Sequence, residues 1–453
     1  MKTSGAEEAA IGLEVYGTDA PGIGGRLKRS PEDFLVEEVS AYPPRFDGGP
    51  FTIAKVTAQN WEMNRLVRQL SKSLGIARER IGFAGTKDKR AITSQLMSFP
   101  VPSDRLMQLS LHQIAISDPY PAKRGITIGD LVGNAFTIRV TETELHDDAL
   151  STAVADTTEQ LEALNGFPNF FGVQRFGAVR PITHEVGKWI VKGDLEKAVM
   201  TYAANPLPNE REESREARKR LQEEGDFEQA LSYYPKIMTF ERTLIGHLSR
   251  NPGDHAGAIS TLPSNLQMMF VHAYQSFLFN RMLSERVRRG IPLDRPVEGD
   301  VVLPVDRNGL PQHDGGVPVT AVNLDLVEKQ VRQGRAFISG VLFGTESVLA
   351  EGEMGEIERA VIEAEGLSKE DFMVPLIHQC SSKGTRRELL GIVKDLKSTA
   401  RGDEVTFTFI VDFPALLYPL AVPKYFETEG FFIIRILIKK GLQLFYNCKF
   451  FNY

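Results

Sequence analysis

Cysteine is nearly absent from this chain: Cys380 and Cys448 are the two among 453 residues. They cannot by themselves make a disulfide framework or a metal site, and their scarcity fits a reducing compartment. Long apolar runs are missing as well. The strongest, Phe431 to Ile438, contains Arg435 and meets Lys439 and Lys440, well short of the ~20 residues that a spanning helix needs. Met1 to Leu13 carries Glu7 and Glu8 and has neither a basic n-region nor an apolar h-region, so no secretory signal is read and a cytoplasmic location is expected. The eight histidines show no H-x-x-x-H spacing and no cysteine pairing of the kind that suggests a metal, so no metal centre is expected. Positive charge is also in deficit. The net charge of −6 removes the simplest argument for a nucleic-acid binder, whose phosphate contacts need Lys and Arg.

What is present is an ordinary soluble, globular composition, 42% hydrophobic and 25% charged, which excludes disordered and collagenous classes. The length points to two domains, or three. Basic residues cluster locally at Lys28/Arg29, Lys87/Lys89/Arg90, Lys123/Arg124 and Lys383/Arg386/Arg387, while acids gather between Glu210 and Glu224. Such doublets are individually ordinary surface, but together they allow a basic groove on an acidic protein.

Period-two alternation from Asp33 to Ser40, from Phe51 to Ala58 and through Phe136, Ile138 and Val140 predicts strands with one buried face. Gly133-Asn134 reads as the turn before the last of these. Met63, Leu66, Val67, Leu70 and Leu74 follow helical spacing, with Gly75 placed to end the helix. Beyond Asp148 helical patterns dominate to about Leu283, including a charged surface helix within Asn209 to Gln229. Gly299 to Thr345 is rich in Gly, Pro and Val; Lys383 to Arg387 ends a further helical region, and Glu404 to Val411 alternates like a strand. Strands, a helical interval and strands again predict an α+β fold with one domain inserted into another.

The most informative stretch is Phe83-Ala84-Gly85-Thr86-Lys87-Asp88-Lys89-Arg90-Ala91. Gly85 lets the backbone turn or approach another segment closely, and three cations surround Asp88, so its carboxylate is expected to stay ionised and able to act as nucleophile or base. On charge pattern alone, a surface ion pair is the commoner outcome for an acid among bases.

That stretch resembles the central G-x-K-D motif of the TruD family of pseudouridine synthases. Lys28-Arg29-Ser30-Pro31-Glu32-Asp33-Phe34 is similar to the family's K-x-x-P-E-D-F element, and Gly133-Asn134-Ala135-Phe136 to its G-N-x-F element. Pro168-Asn169-Phe170-Phe171-Gly172-Val173-Gln174-Arg175-Phe176-Gly177 resembles P-N-Y-F-G-x-Q-R-F-G, which opens the family's inserted domain. His272-Ala273-Tyr274-Gln275-Ser276 and Gly384-Thr385-Arg386-Arg387 look like archaeal and eukaryotic-type members, so the resemblance spans roughly 26 to 387.

The resemblance implies an α+β fold: a catalytic domain with a mixed, mainly antiparallel sheet, residues 1–164 and 389–453, interrupted by an inserted α/β domain, residues 165–388. It implies isomerisation of a tRNA uridine, at position 13, by a monomer without cofactor or metal, with Asp88 as the catalytic residue. It also implies that Phe34 and Phe136, which alternation alone would make core residues, lie beside the target base, where an aromatic face can stack. Asn134, otherwise a good turn residue, would contact the uracil edge, and Lys28 would point at Asp88 and help keep it ionised. Lys87, Lys89, Arg90 and Arg175 are candidates for RNA-backbone contacts, Arg175 and Gln174 serving equally well to hold the inserted loop together. His272, within an apolar helical pattern, is read as a core histidine.

The family's closing element, L-P-x-G-S-[FY]-A-T-x-x-x-R-E, is not kept. Phe413-Pro414-Ala415-Leu416-Leu417-Tyr418 retains the proline and the aromatic, but Leu416 replaces the glycine and Lys424-Tyr425 the R-E pair, and Phe431 to Tyr453 turns bulky and apolar. A lineage-specific tail packed as an edge strand and a reading-frame change both fit; the joint failure of motif and composition at one point favours the frame change. Two rival functions follow: a non-catalytic RNA-binding protein with a disabled pocket, and a two-carboxylate glycosidase or RNA hydrolase using Glu32 and Asp33.

Overall fold

The computed structural model describes residues 3–127, 130–306 and 310–412. Alternating side chains build its larger sheet. Ahead of residue 142 lie β1 (Arg26–Leu27), β2 (Phe34–Ser40), β3 (Phe51–Gln59), β4 (Gly82–Phe83), β5 (Ile92–Phe99), β6 (Ile114–Ala122) and β7 (Leu131–Thr141). Then come β8 (Phe167–Pro168), β9 (Val301–Pro304), β10 (Val317–Pro318), β11 (Ala336–Leu342), β12 (Thr385–Glu388) and β13 (Leu390–Gly391), and finally β14 (Val393–Arg401) and β15 (Glu404–Asp412). Nine of these strands form one sheet in the order β14-β15-β7-β2-β5-β3-β6, with β1 added to β7 and β4 to β5. Its pairings are antiparallel except that of β2 with β5, which is parallel. Strands from before and after the helical interval therefore lie side by side, from Val405 opposite Val140 to Asp412 opposite Gly133.

Period two sets which residues meet inside this sheet. Phe34, Val36 and Glu38 of β2 face inward, opposite Ile138, Phe136 and Asn134 of β7, which in turn oppose Phe407, Phe409 and Val411 of β15. The row is aromatic and aliphatic at one end and polar at the other. Over β3 and β5 lies the helix Met63–Leu74, whose buried Met63, Leu66, Val67, Leu70 and Leu74 meet Ala54, Val56, Ala58, Met97 and Phe99. Glu62 caps its start by accepting from the Asn64 and Arg65 amides, and Gly75, left-handed at φ 62°, ends it as its sequence position predicts.

Helices dominate from Asp147 to Arg288, centred on the 25-residue helix Ser264–Arg288, which is buried along most of its length. Beside it stands a second sheet, β10-β9-β11-β12, antiparallel throughout. The small pairing of β8 with β13 sets Pro168 opposite Leu390 and Phe167 opposite Gly391. Antiparallel sheets with helices between them make the fold α+β.

Two local expectations change. Gly133-Asn134 forms no turn but sits inside β7, where the register slips between Val39 and Ser40 of β2. The chain reverses earlier instead, where Arg124 grips Asp130 through both carboxylate oxygens and Asp130 accepts from the Thr127 amide. Similarly, Lys383 to Arg387 does not end a helix: Thr385–Glu388 is β12, because Arg386 and Arg387 are drawn inward on a strand rather than left on a helix end. The charged helix, Glu212–Glu224, exposes most of its acids but buries Ala217, Leu221 and Arg218. Residues 413–453, which carry the altered closing motif and Tyr418, lie outside the described residues.

Candidate active site

Asp88 lies in an irregular segment, residues 85–88, between β4 and β5, yet it is 1% exposed. A carboxylate taken that far from water needs compensation. Lys28 supplies it: its Nζ donates to Asp88 Oδ1 at 2.7 Å. Lys28 follows β1 directly and adopts a left-handed backbone, φ 54°, a conformation unfavourable to a side chain with a Cβ and held here by its surroundings. From that position its ammonium also sits 3.9 Å from the centre of the Phe34 ring, an added stabilisation for a cation in an apolar setting. The two motifs that carry Lys28 and Asp88 are thus joined by one buried ion pair across 60 residues of sequence.

Lys87, the neighbour of Asp88, turns elsewhere. It was expected to meet RNA phosphates, but it is 3% exposed and its Nζ donates to Glu38 Oε2 at 2.7 Å. The reason is geometric: Glu38 is the inward-facing residue at the polar end of β2 and needs a cation once buried. Ser40 Oγ donates to its other oxygen at 2.6 Å. Asn134 stands opposite Glu38 in register, and its buried Oδ1 has no hydrogen-bond partner among the described residues.

Phe34 and Phe136 are both buried, at 0% and 2% exposure, and belong to the core cluster beneath the ion pair. Phe136 meets Phe34 edge-on at 6.1 Å and stacks on Phe409 at 5.3 Å. Phe34, Phe136, Asn134, Lys28 and Asp88 are therefore gathered along β2 and β7 and the loop above them. Lys89 and Arg90 lie on the same loop, half-buried, with Arg90 donating to the Arg29 carbonyl at 3.1 Å.

Arg175 is placed with a different group. Its Nε donates to Ser276 Oγ at 3.0 Å, and its guanidinium lies 5.4 Å from the Phe171 ring, whose centre is 4.2 Å from Arg387. Arg387 also donates to Asn169. His272, buried nearby, is held neutral, its pKa pushed down to about 3 by burial and then by the Arg175 charge. The inserted-loop motif is thus tied to the helix Ser264–Arg288 and to β12.

Glu32 and Asp33 stand in different surroundings. Asp33 is buried, bridged by Arg139 and accepting the Ser30 amide at 2.7 Å as it closes a short 3-10 turn. Glu32 is exposed and accepts from Gln59 at 2.7 Å. Among the described residues, no three of His, Cys, Asp and Glu gather as a metal site would require, and no helix is long and apolar enough to cross a membrane. Two participants escaped sequence reasoning: Phe409, and Glu38, whose signal was a carboxylate at an inward position of an alternating strand.

The model of one protein family, described as tRNA pseudouridine synthase D (TruD), matches residues 10–413. Relatives named probable tRNA pseudouridine synthase D include that of Methanococcoides burtonii, 42% identical over 84% of this chain and 87% of its own length. That of Methanosarcina mazei is 40% identical over 88% and 91%, and that of Halobacterium salinarum 38% over 90% and 95%. The crystal structure of the putative tRNA pseudouridine synthase D from Methanosarcina mazei superposes with a TM-score of 0.88, at 35% identity, covering 97% of this chain and 99% of that one. With its motifs in order, its sheet matching that structure and the family model spanning most of its length, this chain belongs to the TruD family of tRNA pseudouridine synthases.

Proposed function

We propose that this chain isomerises a uridine of tRNA, at position 13, to pseudouridine, with Asp88 as the catalytic residue. The observation that carries this reading is the buried Lys28–Asp88 ion pair, which joins two family motifs over an aromatic floor. The reaction breaks the N1–C1′ bond, turns the uracil and joins C5 to C1′, conserving atoms and electrons. One carboxylate suffices as nucleophile at the sugar or the base, or as the base that forms a glycal, and each route needs it ionised. The target base must first leave its stack, at a cost of a few kcal/mol. The amide oxygen of Asn134, without a partner among the described residues, suits the N3–H of a uracil, and Phe34 and Phe136 then form the pocket floor.

In the same reading residues 1–164 and 389–453 form the catalytic domain and 165–388 the insert, with tRNA held in a basic cleft by Lys89, Arg90 and Arg175, read largely through shape and phosphates. The protein acts as a monomer without cofactor. The test is tritium release from 5-labelled uridine in tRNA. Wild type releases tritium, and Asp88→Asn lowers the rate by ~10³-fold or more while tRNA affinity stays near that of wild type. Retained turnover in Asp88→Asn removes Asp88 from its role.

The loss of the family's closing motif at 413–453 favours one second reading, a non-catalytic RNA-binding protein. It wins if the purified chain binds tRNA without releasing tritium and a family-type terminus confers release.

A further inference from the structure

Residues 85–88 belong to no helix or strand, so side chains rather than a strand ladder locate the proposed catalytic carboxylate. Lys87 and Asp88 are consecutive and both buried, and they reach different points along one strand. Asp88 is held by Lys28, whose ammonium rests on Phe34, the first residue of β2. Lys87 is held by Glu38, four residues further along β2, ~13 Å away at strand spacing. Glu38 is itself fixed, facing inward opposite Asn134 and accepting from Ser40.

We propose that the buried Lys87–Glu38 ion pair is a positioning pair: it sets the rotation and depth of the 85–88 segment so that the Asp88 carboxylate meets Lys28 and the substrate in one geometry. The proposal rests on Asp88 being the catalytic residue. Two anchors four residues apart on one strand fix the rotation of a dipeptide more tightly than either does alone. Glu38 has a second effect through Lys87. Without its partner the Lys87 ammonium, buried one residue from Asp88, becomes a competitor of Lys28 for the same carboxylate.

The experiment uses the full chain with tRNA and measures the single-turnover rate at saturating tRNA, the tRNA Kd and the melting temperature, at a temperature where each variant is folded. Glu38→Gln and Lys87→Met are each expected to lower the rate by about tenfold or more, since a misplacement of about 1 Å costs up to ~10²-fold, while Kd changes by less than about threefold. The double variant is expected to be no slower than either single one, because it leaves no unpaired buried charge. Glu38→Asp, which keeps the charge, is expected to recover part of the rate lost in Glu38→Gln. A lowered melting temperature with an unaltered rate makes the pair purely structural and overturns the proposal; so does a rate that falls only in step with tRNA affinity. If Glu38→Gln does not fold, Glu38→Asp decides alone: an unaltered rate in that folded variant overturns it. Turnover retained in Asp88→Asn, measured alongside, marks failure of the catalytic reading instead.

Discussion

Buried ion pairs occur in both the helical region and the large sheet, and they are built differently. In the helical region, with the small sheet beside it, the cations are arginines with several acceptors each. Arg286 and Asp300, both fully buried, meet through both carboxylate oxygens, and Arg286 also donates to the Pro292 carbonyl. Arg218 holds Glu210, Glu241 and the Tyr202 and Ala203 carbonyls; Arg386 holds Glu358, Ser339 and the Val348 carbonyl. On the sheet the cations are Lys28 and Lys87. A planar fork spread over many acceptors locks a joint, whereas an ammonium on a flexible stem is a point charge that can follow its partner. Buried charge in the helical region serves the fold; the Lys28 ammonium suits the role proposed for Asp88, a carboxylate that must exchange partners during a reaction.

The comparison breaks most sharply in paired amide substitutions. Asp88→Asn is expected to lower turnover by ~10³-fold or more and, because it removes the carboxylate partner of the buried Lys28 ammonium, to lower stability as well. Asp300→Asn leaves Arg286, fully buried, without its counter-charge, a loss of about 3–5 kcal/mol, while turnover per folded molecule stays near wild type. Denaturant titration and tritium release on both variants test this. Turnover per folded molecule near wild type in both variants would mean that both pairs serve the fold alone.

Histidines sharpen the contrast more gently. His272 and His184 are buried in the helical region, with pKa values pushed down to about 3 and about 4, chiefly by burial. Each is neutral in the folded chain and titrates near 6.5 when unfolded. Their contribution is therefore complete above pH 6.5 and is lost as pH falls toward the folded value, since the unfolded state then binds more protons. His272→Leu is expected to lose less stability than wild type between pH 6.5 and 5, by about 2 kcal/mol, as read by denaturant titration at several pH values. Parallel curves for the two proteins would refute it.

How much of this was legible in sequence depends on the kind of interaction. Alternation placed Phe34, Val36, Phe136 and Ile138 on inward faces, and helical spacing with Gly75 placed the helix Met63–Leu74, because both are local consequences of backbone geometry. The ordered motifs supplied the Lys28–Asp88 pairing as an implication of likeness. Lys87 was misassigned because its partner, Glu38, lies 49 residues away and is reached only once strand register is known. Gly133-Asn134 was misread as a turn because the dipeptide's local preference competes with the inward period of Asn134, Phe136 and Ile138, and pairing with β2 and β15 wins.

The smallest expected effect separates a one-carboxylate site from a two-carboxylate one. Glu32 and Asp33 sit beside Phe34 in sequence, but their carboxylates have different duties. Asp33 is bridged by Arg139 and closes the turn that starts β2. Glu32 is exposed, its pKa held below the usual carboxylate range by hydrogen bonds to backbone and to Ser30. An acid–base partner for a glycosidase would need a raised pKa in a sheltered site, the reverse of this environment. Glu32→Gln is accordingly expected to leave tritium release within about twofold of wild type, as for an ordinary surface charge. A loss approaching that of Asp88→Asn, with free uracil among the products, would replace isomerisation by hydrolysis.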